Sequence, residues 1–509
     1  MSNTVVNNKR IAQNTLFLYC RQLITMGVSL YTVRIILDIL GAEDYGIYNV
    51  IGGIVTLFSF LSNTMASATQ RFLSFEMGKE EKDASLSNVF SVSMNIYIIL
   101  VVIIFLFSET IGLWFINNKL TIPEARLTAA NYVYQSSIFS FIVTLLCIPY
   151  NASIIAMERM NVFAYSSIVD AILKLAIVWL LPYIGIDHLK IYAILMFIAI
   201  FSIQIFYLWY CKNHFSFCTY KHYKDKYLFN NMLSFAGWNM IGSLANILRG
   251  QGLNILINLF FTPVVNAAYS ISLQVNNAIT NFTNNFYTAV RPQLVKLYAS
   301  GKKKEMIELG FQSSRFAFYL MLIIATPMIM HTKEILEIWL KNVPSHTISF
   351  LQIIIICSLI EVLTIPLANM IQATGRIKTF QMTVSTLYLL NIPISYVFLS
   401  FGFKPEITLW INLILILLSL LPRLFICKKQ FGLSIIDYMT HVIAHISIPI
   451  ILIFICIYFY AFKYSPINNT FINIFIEVLI SLIIVIFTGL TLKERNYLIT
   501  IITSKLKKS

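Results

Sequence analysis

The chain has 509 residues, of which 58% are hydrophobic and only 12% are charged. Soluble globular proteins carry about twice that charged fraction, so the composition excludes a soluble protein of this length. A net charge of +15 would suit nucleic acid in a soluble chain, but the basic residues here flank long apolar segments, as they do in membrane proteins.

Fourteen apolar segments of helical length follow one another along the chain, separated by short polar loops. A helix needs about 20 apolar residues to cross the hydrocarbon core, and the two-residue alternation of membrane-spanning strands is not visible. The sequence therefore predicts an all-α, polytopic membrane protein with fourteen transmembrane helices. The predicted spans are residues 11–37, 46–70, 87–108, 127–157, 162–184, 190–211, 229–259, 264–290, 306–330, 346–374, 379–401, 407–422, 440–462 and 471–492.

Basic residues alternate between the two sides of the predicted membrane. Most of the 37 Lys and Arg residues fall in the termini and in the even-numbered loops. Because Lys and Arg accumulate on the cytoplasmic side, this alternation predicts that both termini are cytoplasmic.

The sequence contains features that recur in the same order in two halves. Trp114 at the end of span 3 corresponds to Trp339 at the end of span 9, and Pro149 in span 4 corresponds to Pro366 in span 10. An even number of spans separates the equivalent positions, so the halves are predicted to be parallel six-helix repeats. The predicted organisation is an N-terminal lobe (1–225), a C-terminal lobe (226–430), and a segment (431–509) with spans 13 and 14 and a basic tail.

A polar stripe on span 2 also recurs on span 8. Its residues are Thr56, Asn63, Ser67 and Gln70, and the equivalents are Asn277, Asn284, Thr288 and Arg291. Each set lies on one helix face. We expect these faces to line a polar cavity, with hydrogen bonding between helices as the alternative.

Four arginines fall within predicted spans, where an isolated charge is costly. Arg34 can pair with Asp38 at the outer end of span 1, and the other three have no such local partner. Arg21 lies in span 1, Arg249 in span 7 and Arg315 in span 9. We expect them to bind an anion, because the guanidinium fork suits phosphate oxygens. Snorkelling to the interface is the alternative for each.

Acidic residues within the spans give candidates for ion coupling. Asp170 and Lys174 are four residues apart in span 5 and can neutralise each other. Glu361 in span 10 and Glu477 in span 14 have no local partner, so each titrates or meets a cation from elsewhere in the chain. Glu361, Asp170 and Lys174 are the predicted coupling residues.

These features together predict a ligand with an acidic phosphate part and a neutral part rich in hydroxyl groups. No catalytic residue, metal site or cofactor is predicted. The basic segments Lys302–Lys304 and Lys505–Lys508 are expected to contact anionic membrane lipids, not nucleic acid.

The sequence resembles the polysaccharide repeat-unit flippases of the multidrug/oligosaccharidyl-lipid/polysaccharide (MOP) exporter superfamily. The resemblance covers essentially the whole chain and rests on three segments: RIILDILGAEDYGIYN at 34–49, ATQRF at 68–72 and QATGR at 372–376. It implies a V-shaped pair of six-helix lobes that work by alternating access in the bacterial inner membrane.

The resemblance also implies a substrate, an oligosaccharide on an undecaprenyl diphosphate carrier. This lipid would move from the cytoplasmic to the periplasmic leaflet during capsule or O-antigen synthesis, with coupling to H⁺ or Na⁺ as a family expectation. A drug/cation antiporter of the same superfamily is the alternative, although the arginines disfavour it. A membrane-embedded polysaccharide polymerase or glycosyltransferase is a further alternative.

Overall fold

The computed structural model describes residues 2–56, 59–79, 83–118, 122–221, 223, 225–340, 343–463, 470–492 and 494–495. Within these ranges the regular structure is entirely helical, and no strand occurs. The predicted fold class, an all-α polytopic membrane protein, is confirmed. Every predicted span coincides with one or more helices.

Ten helical segments are long and apolar enough to cross a membrane, counted over the described residues. The other predicted spans lie in helices Ser2–Thr56, Ser59–Met77, Lys226–Phe260 and Pro263–Ala299. These helices carry the polar stripes and two of the arginines, which lower their mean hydropathy. Polar side chains in a membrane helix mark positions that face protein or water.

The chain folds into two compact units. Unit 1 consists of residues 1–243 and 288–301, and unit 2 consists of residues 244–287 and 302–509. Helices α8 (Lys226–Phe260) and α9 (Pro263–Ala299) contribute residues to both units. The predicted lobes instead divide at loops, and that division stays a prediction.

Unit 1 is built around helix α5. Its helices are α1 (Ser2–Thr56), α2 (Ser59–Met77), α3 (Asp83–Phe107), α4 (Leu113–Asn118), α5 (Leu127–Ala156), α6 (Met160–Leu180) and α7 (His188–His214). Helix α5 packs on α2 and α7, and α1 packs on α6. The core contains Ile51, Tyr134 and Leu181. Helix α1 contains span 1 and the first part of span 2, which separate at Gly41, where a φ of 72° suits glycine.

The C-terminal end of α9 is held within unit 1 by a buried acid. Glu158, which follows α5, is 3% exposed. Its carboxylate accepts hydrogen bonds from Lys296 Nζ at 2.6 Å and from the Gln293 amide. Gly78 allows close approach nearby, because a Cβ there would lie 2.5 Å from Ala299 Cβ. The segment from Thr288 to Gly301 is therefore held by charge and by close packing.

An ion-pair network links the chain segments at the opposite end of unit 1. Arg126 Nε donates to Asp44 at 2.7 Å, and Arg126 Nη1 donates to Asp187 at 2.9 Å. Asp187 also caps the N-terminus of α7, where it accepts from the Leu189 backbone N–H at 3.1 Å. Burial raises the pKa of Asp187, but its hydrogen bonds and the Arg126 charge outweigh burial and hold that pKa below its ordinary value.

Unit 2 is built around helix α12 in a corresponding way. Its own helices are α10 (Lys303–Met330), α11 (Thr332–Trp339), α12 (Thr347–Thr374), α13 (Lys378–Leu389), α14 (Asn391–Ser400), α15 (Ile407–Phe431), α16 (Ile435–Tyr438), α17 (His445–Lys463) and α18 (Thr470–Ile484). Helix α12 packs on α10 and α15. Spans 4 and 6 pair in unit 1 as spans 10 and 12 pair in unit 2, which is the pairing expected of related halves.

The last helices of unit 2 are attached through α10. Arg315 Nη2 lies 2.6 Å from Glu494, and its Nη1 donates to the His441 carbonyl at 2.9 Å. Tyr319 Oη donates to the Gly489 carbonyl at 2.9 Å. One face of α10 therefore holds the segment that precedes α17 and the segment that follows α18.

We expect Glu158→Ala to destabilise the protein by roughly 2 kcal/mol, because it removes charge-assisted hydrogen bonds from a buried position. The exposed pair Lys302–Glu305 gives a control, since Glu305→Ala should cost less than about 1 kcal/mol. Thermal unfolding of the purified variants in detergent tests this. Equal melting temperatures for the two variants would contradict it.

We expect Asp187→Asn to lower the melting temperature at pH 7 and to lose this effect in acid. A carboxyl with a lowered pKa stabilises the fold above its unfolded pKa of about 3.9, and the stabilisation disappears as pH falls through the folded pKa. Melting curves of both proteins from pH 7 to about pH 3 should converge at the acid end. A constant difference between the curves would refute the assignment.

Candidate functional site

Unit 1 contains a polar cluster inside its membrane helices, formed by α1, α6 and α7. The Arg21 guanidinium lies over the Phe163 ring, 4.9 Å from its centre. Tyr207 Oη lies 2.6 Å from Ser166 Oγ and within electrostatic range of Arg21 and Asp170. We call Arg21, Phe163, Tyr207, Asp170 and Lys174 the unit 1 cluster.

Asp170 and Lys174 form the ion pair that their spacing predicts. Lys174 Nζ lies 2.7 Å from Asp170 Oδ2, and both side chains are partly exposed. Because the pair sits in α6 beside Tyr207, it adds one positive and one negative charge to the cluster. The coupling role predicted for these two residues stays a proposal.

Unit 2 contains a second cluster, in which Arg249 meets the acid that lacked a local partner in the sequence. Arg249 Nη2 lies 3.6 Å from Glu361 Oε1, and its Nη1 lies 3.4 Å from Asn412 Oδ1. The guanidinium also lies over the Tyr388 ring, 4.2 Å from its centre. Three helices, α12, α13 and α15, therefore surround the Arg249 side chain of α8.

Arg423 completes this cluster, although the sequence prediction placed it in an inner loop beyond span 12. It is 5% exposed, donates to Tyr388 Oη at 2.8 Å and donates to the Thr364 carbonyl at 3.1 Å. Thr364 Oγ1 in turn donates to the Glu361 carbonyl at 2.8 Å. The contacts run from Glu361 through Arg249, Tyr388 and Arg423 back to Thr364 of α12. We call Glu361, Arg249, Tyr388, Arg423 and Thr364 the unit 2 cluster.

The prediction missed Arg423 because span 12 was ended at Pro422. In the structure α15 continues through Pro422 to Phe431, and prolines are tolerated in membrane helices. The apolar run from Leu424 to Cys427 was the available signal. Arg71, also assigned to a loop, is 8% exposed and lies over the Phe72 ring within α2.

The two clusters are built alike. In each, an arginine from the first helix of a half stacks on an aromatic ring from the fifth helix of that half, with Phe163 in unit 1 and Tyr388 in unit 2. In each, two basic residues accompany one carboxylate among the described residues. Each cluster therefore carries a positive charge in excess.

The predicted polar stripes are partly exposed and partly buried. Asn63, Asn277 and Asn284 are exposed, and Gln70 is buried. Within unit 1, Arg291 Nη1 donates to Ser67 Oγ at 3.2 Å, so the structure brings these two stripe residues together. Thr288 is partly buried in the same helix. The side chain of Thr56 and the tail residues Lys505–Lys508 lie outside the described residues.

Arg315 lies apart from both clusters. It is 6% exposed and carries the buried pair with Glu494 described above. This contact gives the side chain a structural partner, and Arg315 is left out of the ligand site proposed below. Its partner lies 179 residues away in sequence, which local spacing cannot reveal.

A family model described as "Polysaccharide biosynthesis protein" matches residues 11–298, more than half of the chain. The chain belongs to the polysaccharide biosynthesis protein family. A second model, MatE, matches residues 240–397. A curated relative from Salmonella typhi, "Putative O-antigen transporter", is 23% identical over 206 residues, 39% of this chain and 47% of the relative. The match thus spans about half the length of that relative.

Solved structures of MATE proteins share the fold. A MATE mutant superposes with a TM-score of 0.71 at 13% identity and covers 82% of this chain and 96% of that chain. A MOP superfamily transporter from Pyrococcus furiosus, described as having a binding pocket of reversed polarity, gives a TM-score of 0.68 at 13% identity and covers 82% of this chain and 96% of that chain. The resemblance to the MOP superfamily is confirmed, and these structures establish the fold alone.

We expect Arg423→Lys to destabilise unit 2 by about 1–2 kcal/mol, because a lysine cannot bridge the Tyr388 hydroxyl and the Thr364 carbonyl as a guanidinium does. Tyr388→Phe should cost less, since it keeps the ring under Arg249. The exposed Tyr396 in α14 provides the control, Tyr396→Phe. Thermal unfolding measures all three variants, and an unchanged melting temperature for Arg423→Lys would contradict the bridging role.

Proposed function

We propose that the protein is a flippase for a lipid-linked oligosaccharide in the bacterial inner membrane. The observation that carries this proposal is the positive excess of both clusters within membrane-spanning helices. An anionic headgroup offsets such a charge, and a diphosphate offers several oxygens to a guanidinium, whether that of Arg21 in unit 1 or that of Arg249 in unit 2. Family membership supports a role in polysaccharide synthesis.

The way in which the arginines are held also supports an anionic ligand. An aromatic ring stabilises a guanidinium through its quadrupole and leaves the positive charge in place. Arg21 and Arg249 both have this support. At 3.6 Å from Arg249, Glu361 compensates that charge only partly, and Arg423 adds another. A site for cationic drugs would require an excess of carboxylates instead.

The neutral part of the ligand is proposed to contact a polar helix face, either that of α2 or that of α9. Asn63, Asn277 and Asn284 are exposed amides that both donate and accept hydrogen bonds. Gln70, Thr288 and Arg291 continue these faces. Amides and hydroxyl groups of this kind suit the hydroxyls of a sugar, which require both donors and acceptors.

In this proposal the substrate is an oligosaccharide on undecaprenyl diphosphate, carried from the cytoplasmic to the periplasmic leaflet for O-antigen or capsule assembly. Both termini are cytoplasmic, and the substrate crosses the membrane by alternating access. Glu361 and the Asp170–Lys174 pair are proposed to couple transport to an H⁺ or Na⁺ gradient. Glu361 lies next to Arg249, and Asp170 lies next to Lys174. Protonation of either acid would therefore change the net charge that the ligand meets.

Reconstituted vesicles test the proposal. A lipid-diphosphate oligosaccharide is incorporated, and its appearance in the opposite leaflet is followed with a membrane-impermeant lectin. We expect Arg21→Gln and Arg249→Gln each to weaken apparent affinity by about 10- to 100-fold, the equivalent of losing charge-assisted hydrogen bonds to phosphate. Lys212→Gln, at an exposed basic position, is the control and should transport normally.

Two results would overturn the proposal. Wild-type rates in both arginine variants would remove the clusters from ligand binding. Export of a cationic dye, without any movement of the lipid-linked sugar, would favour the antiporter alternative. A sugar-free lipid diphosphate added as competitor should slow transport, because the proposal places most of the recognition on the diphosphate.

A further inference from the structure

A buried carboxylate in the last membrane helix belongs to neither cluster. Glu477 lies in α18 and is 3% exposed, and Asn473 and Ser481, one turn away on either side, are also buried. Phe471 and Phe475 lie on another side of the helix and are exposed. Helix α18 therefore buries a polar stripe within unit 2 and presents apolar residues outward, as a lipid-facing helix must.

His331 is the partner of Glu477. It follows the end of α10, and its Nε2 lies 3.0 Å from Glu477 Oε1. The second carboxylate oxygen of Glu477, Oε2, is buried without a hydrogen-bond partner among the described residues. The Ser481 hydroxyl oxygen also lacks one there. Buried carboxylate oxygens are normally satisfied, so this unsatisfied oxygen is a place for a further ligand atom.

The net charge of the pair depends on how many protons it holds. With none, a neutral imidazole faces a carboxylate, and the pair carries −1 inside a membrane protein. With one, on either group, the pair is neutral as a whole, which burial favours. Glu334 of α11 also acts electrostatically on Glu477, and its negative charge adds to the preference for a bound proton.

We propose that His331 and Glu477 form a proton-binding site that holds one H⁺ and that the bound proton keeps α18 packed against α10. The site involves no residue of the proposed ligand clusters. The proposal therefore stands or falls independently of the transported substrate.

Proton titration of the reconstituted protein from about pH 5 to about pH 9, the range around histidine titration, tests the site. The double variant H331Q/E477Q is the baseline. Wild type should release one more proton per chain than this baseline. In E477Q, which is isosteric and neutral, the extra proton should leave at a lower pH than in wild type, because the carboxylate that stabilises a protonated His331 is gone. No extra proton in wild type, or release at the same pH in both proteins, would overturn the proposal.

Hydrogen exchange of the peptide covering 470–484 gives an independent readout. After correction for intrinsic rates, wild-type α18 should lose protection, by about tenfold or more in exchange rate, when the proton is released. E477Q and the double variant H331Q/E477Q, which cannot carry the buried negative charge of Glu477, should each show little pH dependence. E337Q is the control, since Glu337 is exposed and pairs with Lys333 at 3.8 Å; it should behave as wild type. Protection that is independent of pH in wild type would refute the link between the proton and helix packing.

Discussion

A charged side chain in a membrane helix must find a partner inside the protein, because hydrocarbon offers none. This constraint fixes much of the architecture. Arg315 attaches the segment around Glu494 to α10, and Arg249 draws together the helices that carry Glu361 and Asn412. Just beyond α5, Glu158 holds the C-terminal end of α9 in the same way. Apolar packing alone specifies these positions weakly, since lipid tails are as apolar as the helices.

The constraint is met in two ways with different consequences. A carboxylate at 2.6 Å, as between Arg315 and Glu494, largely cancels the charge and leaves a structural link. An aromatic ring, as under Arg21 and Arg249, stabilises the cation and preserves its charge. The same arrangement appears on the first and fifth helices of both halves. Recurrence at equivalent positions favours a role in ligand binding over a local packing solution.

The helices were predictable because each must present about 20 apolar residues to lipid, a pattern that one sequence displays. The Asp170–Lys174 pair was predictable because both residues lie on one helix face. The partners of Arg315, Arg249 and Glu477 were not, since tertiary packing brings them from distant parts of the chain. Arg423 escaped prediction because a proline next to a positive charge is typical of a helix end, although the apolar sequence continues beyond it.

The fold itself does not decide between an oligosaccharide lipid and a cationic drug. The chain matches both a polysaccharide biosynthesis model and the MatE model, so the choice rests on the charges that the helices carry. In unit 2, Arg249 lies over the Tyr388 ring and next to the Glu361 carboxylate, and Arg423 donates to the Tyr388 hydroxyl. Protonation of Glu361 would raise the positive charge, and ionisation would lower it. A cationic ligand would thus compete with protons for the carboxylate, which is the behaviour of an antiporter. An anionic ligand would be bound together with protons, which is the behaviour of a symporter.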